Sequence, residues 1–352
     1  MPANILIDCE RMRHHHTGLY HYCYNLGKNL AEYSNPQTET LHFFLPPKEG
    51  AVFGTDKKYI HQKAWHKLLL PGTQKLNLWH ATHQDTAFYP QHRKLPVVLT
   101  IHDLNVMHNT TKTTNKKKKF LHQVAKKIKR ADHITFISAF TKNDVQEYID
   151  LTSKSVSVIY NGCNIREIEN LIEPLSVPKA PFLFSIGTIT DKKNFHVLPA
   201  LLVGNNRLLI IAGITQSKQY RQRIIAEAVK HHVEKRVLFT GPITENDKQW
   251  YLKNCEAFVF PSLTEGFGLP VVEAMHFGVP VFLSTYTSLP EIGGDVCYYF
   301  NSFDKEDMQL TLQKGLQNYH TSGSGESIKA RAASFSWKEA AISYLEVYRS
   351  LC

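Results

Sequence analysis

The stretch Ala257 to Asp295, AFVFPSLTEGFGLPVVEAMHFGVPVFLSTYTSLPEIGGD, constrains the fold more than any other part of the chain. Ala257 to Phe260 is a short apolar run, the pattern of a parallel strand buried on both faces. A Gly-rich turn follows, Glu265-Gly266-Phe267-Gly268. Pro270 falls where the first turn of a helix tolerates proline, because that N–H would have no partner in any case. Val271 to Phe277 reads as the helix, Gly278 as its stop, and Val279 to Leu283 as the next strand. The result is one βαβ unit, with two parallel strands joined over the sheet by a helix.

Two carboxylates lie eight residues apart in this unit, Glu265 in the turn and Glu273 on the helix. A strand leading through a Gly-rich turn into a helix N-terminus is a natural anion site. Free N–H groups and the positive end of the helix dipole point the same way there. An ionised carboxylate beside it suits a hydroxyl-rich ligand, since it accepts from two neighbouring hydroxyls. Phosphate and polyol together point to a sugar nucleotide. The plainer alternative is a tight turn allowed by Gly266 and Gly268, with both glutamates solvated.

The segment resembles the E-x7-E signature of retaining, GT-B fold glycosyltransferases of family 4. The resemblance implies a nucleoside diphosphate sugar as donor, with its sugar near Glu265 and the turn residues Gly266, Phe267, Gly268 and Leu269. The ribose would lie near Glu273. It also implies that no enzyme nucleophile is needed.

A chain of 352 residues has room for two domains of ordinary size, and 43% hydrophobic with 20% charged residues is a globular balance. MPANILIDCERM has no basic segment ahead of a long apolar core, so it does not read as a signal peptide, and no apolar run approaches the ~20 residues of a membrane span. Six scattered cysteines without a C-x-x-C pair fit reduced thiols in the cytoplasm better than a disulfide frame or zinc site. The net charge of +10 favours anionic partners without choosing among them. His14-His15-His16 reads as native loop.

Apolar runs and helical periodicity alternate along the chain. Strands are expected at Asn4 to Asp8, Leu41 to Leu45, Leu78 to His80, Val97 to Ile101, His133 to Ile137 and Val156 to Ile159. Helices are expected between them at Tyr20 to Tyr33, Lys117 to Lys129 and Thr141 to Ile149. A turn-rich stretch with Pro174, Pro178 and Pro181 follows, and then the pattern restarts. Strands are expected at Phe182 to Ile186, Leu208 to Ala212 and Val237 to Thr240. Helices are expected near Val197 and at Tyr220 to His231, Asp247 to Asn254, Asp304 to Tyr319 and Trp337 to Leu351, with Thr321 to Gly325 as a polar loop. This predicts an α/β architecture of two Rossmann-like, doubly wound domains, with ligands in an interdomain cleft at strand C-terminal ends. The expected limits are 1–165 for an N-terminal, acceptor-side domain, 166–180 for a linker and 181–335 for a donor-side domain. The GT-B resemblance implies that helix 336–352 crosses back to the first domain.

Further residues join the candidate site. Gly18, in Thr17-Gly18-Leu19, lets backbone approach a ligand after the first strand. The resemblance puts such a glycine beside the diphosphate. His102, in TIHDLN, ends a strand and could bond a sugar hydroxyl or shuttle a proton near neutrality. A structural role is the alternative, as it is for His80. Gly187 to Asn194, GTITDKKN, resembles the family's G-T-L-x-x-R-K-N, so Lys193 corresponds to the lysine that neutralises the leaving diphosphate. Where many members have an arginine after the glycine, this chain has Thr188. Gly213 ends a strand as a close-approach glycine, Ser138 or Thr141 caps a helix, and Asn161-Gly162 forms a turn.

Lys116 to Arg130, KKKKFLHQVAKKIKR, has eight basic residues in fifteen. Two readings stand: a helix drawn to an anionic membrane surface, or an apolar stripe on the core with a solvated basic face. No D-x-D occurs and no cluster has metal spacing, so no metal or other cofactor is expected. The expected activity is transfer of a hexose, mannose first, with retention, from a nucleotide sugar to a glycan or lipid-linked acceptor in surface polysaccharide or lipopolysaccharide synthesis. The site is in the cytoplasm or on the inner membrane face. The rivals are a sugar-nucleotide epimerase and a nucleic-acid-binding protein. The second is disfavoured because no aromatics interleave with the basic residues, so nucleic acid is not an expected partner.

Overall fold

Strands of near-continuous apolar sequence dictate parallel sheets covered on both faces, and two such sheets form. The computed structural model describes all residues except 1, 16, 68–72, 91–93, 110–111 and 176, so His16 lies outside the described residues. The chain divides into two compact units, Met1–Gly162 with Phe335–Cys352, and Cys163–Ser334.

The first unit contains β1 (Ala3–Asp8), α1 (Gly18–Tyr33), β2 (Glu39–Leu45), β3 (Lys58–His61), β4 (Leu78–Ala81) and β5 (Val97–Ile101). It continues with α2 (Asn105–His108), α3 (Thr114–Arg130), β6 (His133–Phe136), α4 (Ala139–Gln146) and β7 (Ser155–Val158). Its sheet is parallel in the order β3-β2-β1-β4-β5-β6-β7. Val124 and Ile128 of α3 are buried in the core over this sheet with Trp79, Val97 and Leu99. The apolar stripe of α3 is therefore committed to its own domain. Two of its cations are also committed: Lys127 donates to the carbonyls of Gln84 and Thr86, and Arg130 to that of Leu95. Ser138 is the cap of α4, accepting from the N–H of Thr141.

The second unit contains β8 (Phe182–Ile186), β9 (Leu208–Ala212), α5 (Lys218–Lys230), β10 (Val237–Gly241), α6 (Glu245–Asn254), β11 (Ala257–Phe260) and α7 (Leu269–His276). It continues with β12 (Val281–Ser284), α8 (Leu289–Gly293), β13 (Tyr298–Phe300), α9 (Lys305–Ser322) and α10 (Gly325–Ala333). The order β10-β9-β8-β11-β12-β13 repeats the winding of the first sheet. Residues 163–180 belong to this unit rather than standing apart as a link. The Ile168 N–H donates to Gln249, and Asn246 exchanges hydrogen bonds with Ile172.

The final helix, α11 (Trp337–Leu351), packs on the first unit. Tyr344 shares a buried hydroxyl network with Tyr22, Thr100 and Thr135, and Tyr348 bonds His80 Nδ1 at 2.6 Å. Arg349 grips the buried Glu39 with two nitrogens. Gly162 is obligatory here, because a Cβ on it would lie 2.2 Å from the backbone nitrogen of Trp337.

Four local expectations are corrected. The helix near Val197 is a 3-10 helix, Phe195–Leu202, since Pro199 inside it has no N–H to extend an α ladder. The polar loop at 321–325 shrinks to two residues between α9 and α10, with Gly323 in the left-handed conformation at the turn. The strands β3 and β13 were not expected. Each is short, and they lie at opposite sheet edges.

Candidate active site

In an open α/β sheet the loops at a reversal of strand order part from one another and leave room for a ligand beyond the strand ends. In the second unit the reversal falls between β8 and β11. Lys193 follows β8 and Glu265 follows β11, so the two motifs meet at that point. Lys193 Nζ donates to Glu265 Oε1 at 2.5 Å, and the Ser262 hydroxyl donates to the same oxygen at 2.6 Å. The ammonium also lies 4.6 Å from the centre of the Phe260 ring. Side-chain exposures of 9% and 13% make this a largely desolvated pair.

Local geometry fixes both side chains. Lys193 ends a tight 3-10 turn, Asp191–Lys193, closed by Asn194 in the left-handed conformation. The Glu265 N–H donates to Thr287 Oγ1 at 3.0 Å, and Ser288 Oγ donates to the carbonyls of Glu265 and Phe267. Burial works to raise the carboxyl of Glu265. The ammonium of Lys193, Lys192 beyond it and the two hydrogen bonds outweigh burial and hold it below the usual range. Burial also lowers the ammonium of Lys193, and the charge of Glu265 opposes that. The pair is a salt bridge that an incoming anion would have to share or displace.

The glycines divide by role. Gly187 has φ of 155°, and a Cβ there would stand 3.1 Å from Lys193 Cε, so its bareness makes room for the lysine stem. A Cβ on Gly213 would lie 2.1 Å from the carbonyl oxygen of Gly187. The close approach at Gly213 is therefore to the neighbouring backbone. Gly268, with φ of 109°, is the N-cap of α7, followed by Leu269 and Pro270 in the first turn. Gly266 and Phe267 are buried, Phe267 being 3% exposed as a whole residue.

Glu273 lies on α7, is 5% exposed and belongs to a second cluster. Its Oε1 accepts from Asn164 Nδ2 at 3.0 Å and lies 3.2 Å from Lys248 Nζ. Lys248 is itself buried and also meets Glu245 at 2.9 Å.

In the first unit, Gly18 opens α1 behind the cap Thr17, whose hydroxyl accepts from the Tyr20 N–H. Gly18 is exposed without a left-handed backbone, so it is a first-turn residue with no conformational demand. His102 ends β5, and the expectation that it shuttles protons near neutrality is corrected. Its Nε2 lies 2.8 Å from the carbonyl of Thr82, which only accepts, so Nε2 carries the proton. Burial pulls the imidazole down to about 4, so the ring is neutral and offers Nδ1 as an acceptor only. His80 is wholly buried between Thr100 and Tyr348 and is structural.

The sequence reading missed a buried cluster at the end of β1. Thr86 Oγ1 lies 2.5 Å from Asp8 Oδ2 and 2.9 Å from Glu10 Oε2. Glu10 has donors of its own, the Ala87 N–H on Oε2 at 2.8 Å and Arg13 against Oε1 at 3.1 Å. Burial with the nearby charge of Glu10 raises Asp8 to about 7, so a proton on Asp8 can be shared with Thr86 Oγ1. The only sequence signal was two acids two residues apart after a strand. Their partner lies 78 residues from Asp8.

Two family models match consecutive stretches: Glycosyltransferase Family 4 over residues 64–167 and Glycosyl transferases group 1 over residues 167–320. The chain belongs to the group 1, family 4 glycosyltransferases. Among curated relatives it is 30% identical to the serotype-specific mannosyltransferase WbdA of Escherichia coli, over 63% of this chain and 29% of that protein. It thus spans under a third of the length of this relative. It is 24% identical to O-antigen chain mannosyltransferase B of Escherichia coli, over 75% of this chain and 73% of that one. Among solved structures, sucrose-phosphate synthase of Thermosynechococcus elongatus superposes with TM-score 0.75 at 17% identity, covering 99% of both chains. Anabaena HepE, solved with UDP and glucose, superposes with TM-score 0.71 at 15% identity, covering 99% of this chain and 100% of that one. At such identities the likeness carries the fold alone, two Rossmann-like domains of the GT-B kind. Among the described residues no helix is long and apolar enough to cross a membrane.

Proposed function

We propose that this glycosyltransferase moves a hexose, mannose first, from a nucleoside diphosphate sugar to a glycan or lipid-linked acceptor, with retention, in surface polysaccharide or lipopolysaccharide synthesis. The observation that carries the reading is the meeting of Lys193 with Glu265 at the strand reversal of the second unit. A desolvated ammonium paired with the turn that leads into α7 suits a departing diphosphate, because preformed positive charge needs no reorganisation as negative charge develops. Glu265 orients the transferred sugar. His102 accepts from a sugar hydroxyl through Nδ1 without exchanging a proton. The names of the mannosyltransferase relatives support the choice of sugar and the polysaccharide setting.

The reaction uses no divalent ion, since the sequence lacks D-x-D and Lys193 with the helix terminus supplies the positive charge. It takes place in the cytoplasm, with the exposed lysines of α3 drawing the protein to an anionic inner membrane face. Nucleic acid is not a partner.

The test is a screen of GDP-mannose, UDP-glucose, UDP-galactose and UDP-N-acetylglucosamine for thermal stabilisation, which tracks binding to the folded state alone. The stabilising donor is then incubated with lipid-linked glycan acceptors, and the anomeric configuration of the product is read by NMR. One donor raising the melting temperature and yielding an axial-to-axial product bears the proposal out. Stabilisation by none of them removes it, and donor consumption without any acceptor points to an epimerase instead.

A further inference from the structure

Lys248 is a buried lysine of the second unit. It is 8% exposed on α6, and its ammonium is placed between two carboxylates, Glu273 at 3.2 Å and Glu245 at 2.9 Å. Buried ion pairs rarely stabilise more than apolar residues of the same volume would. A buried lysine at such a place therefore calls for another explanation, and the geometry around Glu273 supplies one. Both recorded partners of Glu273, Lys248 and Asn164, engage the same oxygen, Oε1. Among the described residues no partner is recorded for Oε2. The carboxylate is fixed by one oxygen and open at the other.

We propose that Lys248 is a positioning residue for donor recognition, holding Glu273 fixed through Oε1 so that Oε2 receives the vicinal hydroxyls of the donor's ribose. The inference rests on the assignment of Glu273 to the ribose in the proposed function. A side chain already fixed by two partners presents its second oxygen to a diol without losing rotamer freedom on binding, and charge-assisted hydrogen bonds are the strong ones. Burial pulls Lys248 itself down, but Glu273 and Glu245 outweigh this and hold it above its usual range, so it stays charged. The other titratable groups near the pair are Cys163, pushed up to about 11 by burial and therefore neutral, and His276, one turn along α7 and bonded to Glu167.

The test is calorimetric binding of GDP and UDP, and of their 2′-deoxy counterparts, between about pH 5.5 and 8.5. The proteins are the parent and the Lys248→Met, Lys248→Arg, Glu273→Gln and Lys248→Met/Glu273→Gln variants. The parent is expected to prefer the ribonucleotide about tenfold, the size of one or two hydrogen bonds to a charged group. Lys248→Met should reduce that preference to about threefold or less, because Oε1 then loses one of its two partners and the carboxylate is no longer held in place. Lys248→Arg should restore most of the preference, and Lys248→Met should add less than about twofold in the Glu273→Gln background. If Lys248→Met does not fold, Lys248→Gln replaces it and should lower the preference in the same direction. A Lys248→Met protein that discriminates like the parent at every pH overturns the proposal. So does an effect of equal size with and without Glu273. Failure of both diphosphates to bind the parent would instead remove the proposed function.

Discussion

Breaking the Lys193–Glu265 pair from each side separately tests whether it is a device for charge or a strut. The structure sets the magnitude. The two side chains are 9% and 13% exposed and meet at 2.5 Å, so removing either leaves the other desolvated and uncompensated. Breaking a buried pair in this way costs about 3–5 kcal/mol. Lys193→Met leaves the carboxylate of Glu265 with the Ser262 hydroxyl as its remaining recorded side-chain donor. Glu265→Gln leaves an ammonium whose remaining recorded contact is the Phe260 ring. Replacing both removes both stranded charges, so the double variant should be less destabilised than the sum of the singles by about 2 kcal/mol or more. Activity should behave differently. Each single change should lower kcat by about 10²-fold or more, and the double should be little worse, since the pair acts as a unit at the leaving group. Urea melts of the four proteins give the stabilities, and steady-state kinetics with the donor found in the screen give kcat. Stabilities that add within about 0.5 kcal/mol would show that the two charges do not compensate each other in solution. Near-parental kcat in both singles would move the active site elsewhere.

Asp8 should make the fold less stable as pH rises. Its folded value is raised from 3.8 to about 7, so its stabilising contribution is complete below about 3.8 and is lost as pH climbs through 7. A shift of that size corresponds to about 4 kcal/mol. Asp8→Asn, which keeps a donor toward Thr86, should gain stability relative to the parent between pH 5 and pH 8 in urea melts, and an unchanged difference refutes the shared proton. Turnover should survive EDTA, and loss of activity restored by Mn²⁺ would contradict the metal-free reading. The protein should bind anionic vesicles weakly and leave them as salt is added. Replacing Lys116, Lys117, Lys118 and Lys119 with glutamine should weaken that binding while donor-induced thermal stabilisation stays unchanged. Vesicle binding equal to the parent's would leave those lysines as a solvated face.

What the sequence made legible was what runs locally. Val97–Ile101 and Phe182–Ile186 announce themselves because a parallel strand buried on both faces is apolar throughout. The Gly-Pro start of α7 is equally local. Lys58–His61 escaped because an edge strand is half exposed and KYIH has no apolar run. Gly325–Ala333 escaped because its helix begins inside a Gly-Ser cluster that reads as loop. At the site, Glu265 and Lys193 were visible as motif residues, but their pairing spans 72 positions and no spacing rule reaches that far. Lys248 reads in sequence as an ordinary helix lysine, and only its burial against Glu273 sets it apart. His102 was placed at a strand end with two roles open, hydroxyl bonding or proton shuttling, and what bears on the choice, burial and the Thr82 carbonyl, is not local.

The two units extend the argument from strand order. Each sheet reverses beside its first strand, at β1 and β4 in one unit and at β8 and β11 in the other. In each, the loops leaving those two strands bring ionisable groups together: Asp8 and Glu10 after β1 with Thr86 after β4, and Lys193 after β8 with Glu265 after β11. The winding brings the same loops together twice, and the residue types decide what forms there. Opposite charges in the second unit make a pair that can open toward an anion. Two carboxylates in the first, with Arg13 against Glu10, close on a threonine hydroxyl, which ties the loop after β4 to the end of β1. Thr82 strengthens that tie by donating to the Asp8 carbonyl, and the carbonyl of the same Thr82 fixes His102. The tie to His102 thus runs through the carbonyls of Asp8 and Thr82 and not through the carboxyls of the cluster. Asp8→Asn should therefore leave the neutral state of His102 unchanged, whereas Thr82→Val should relax the β4 loop without removing the carbonyl that sets the tautomer.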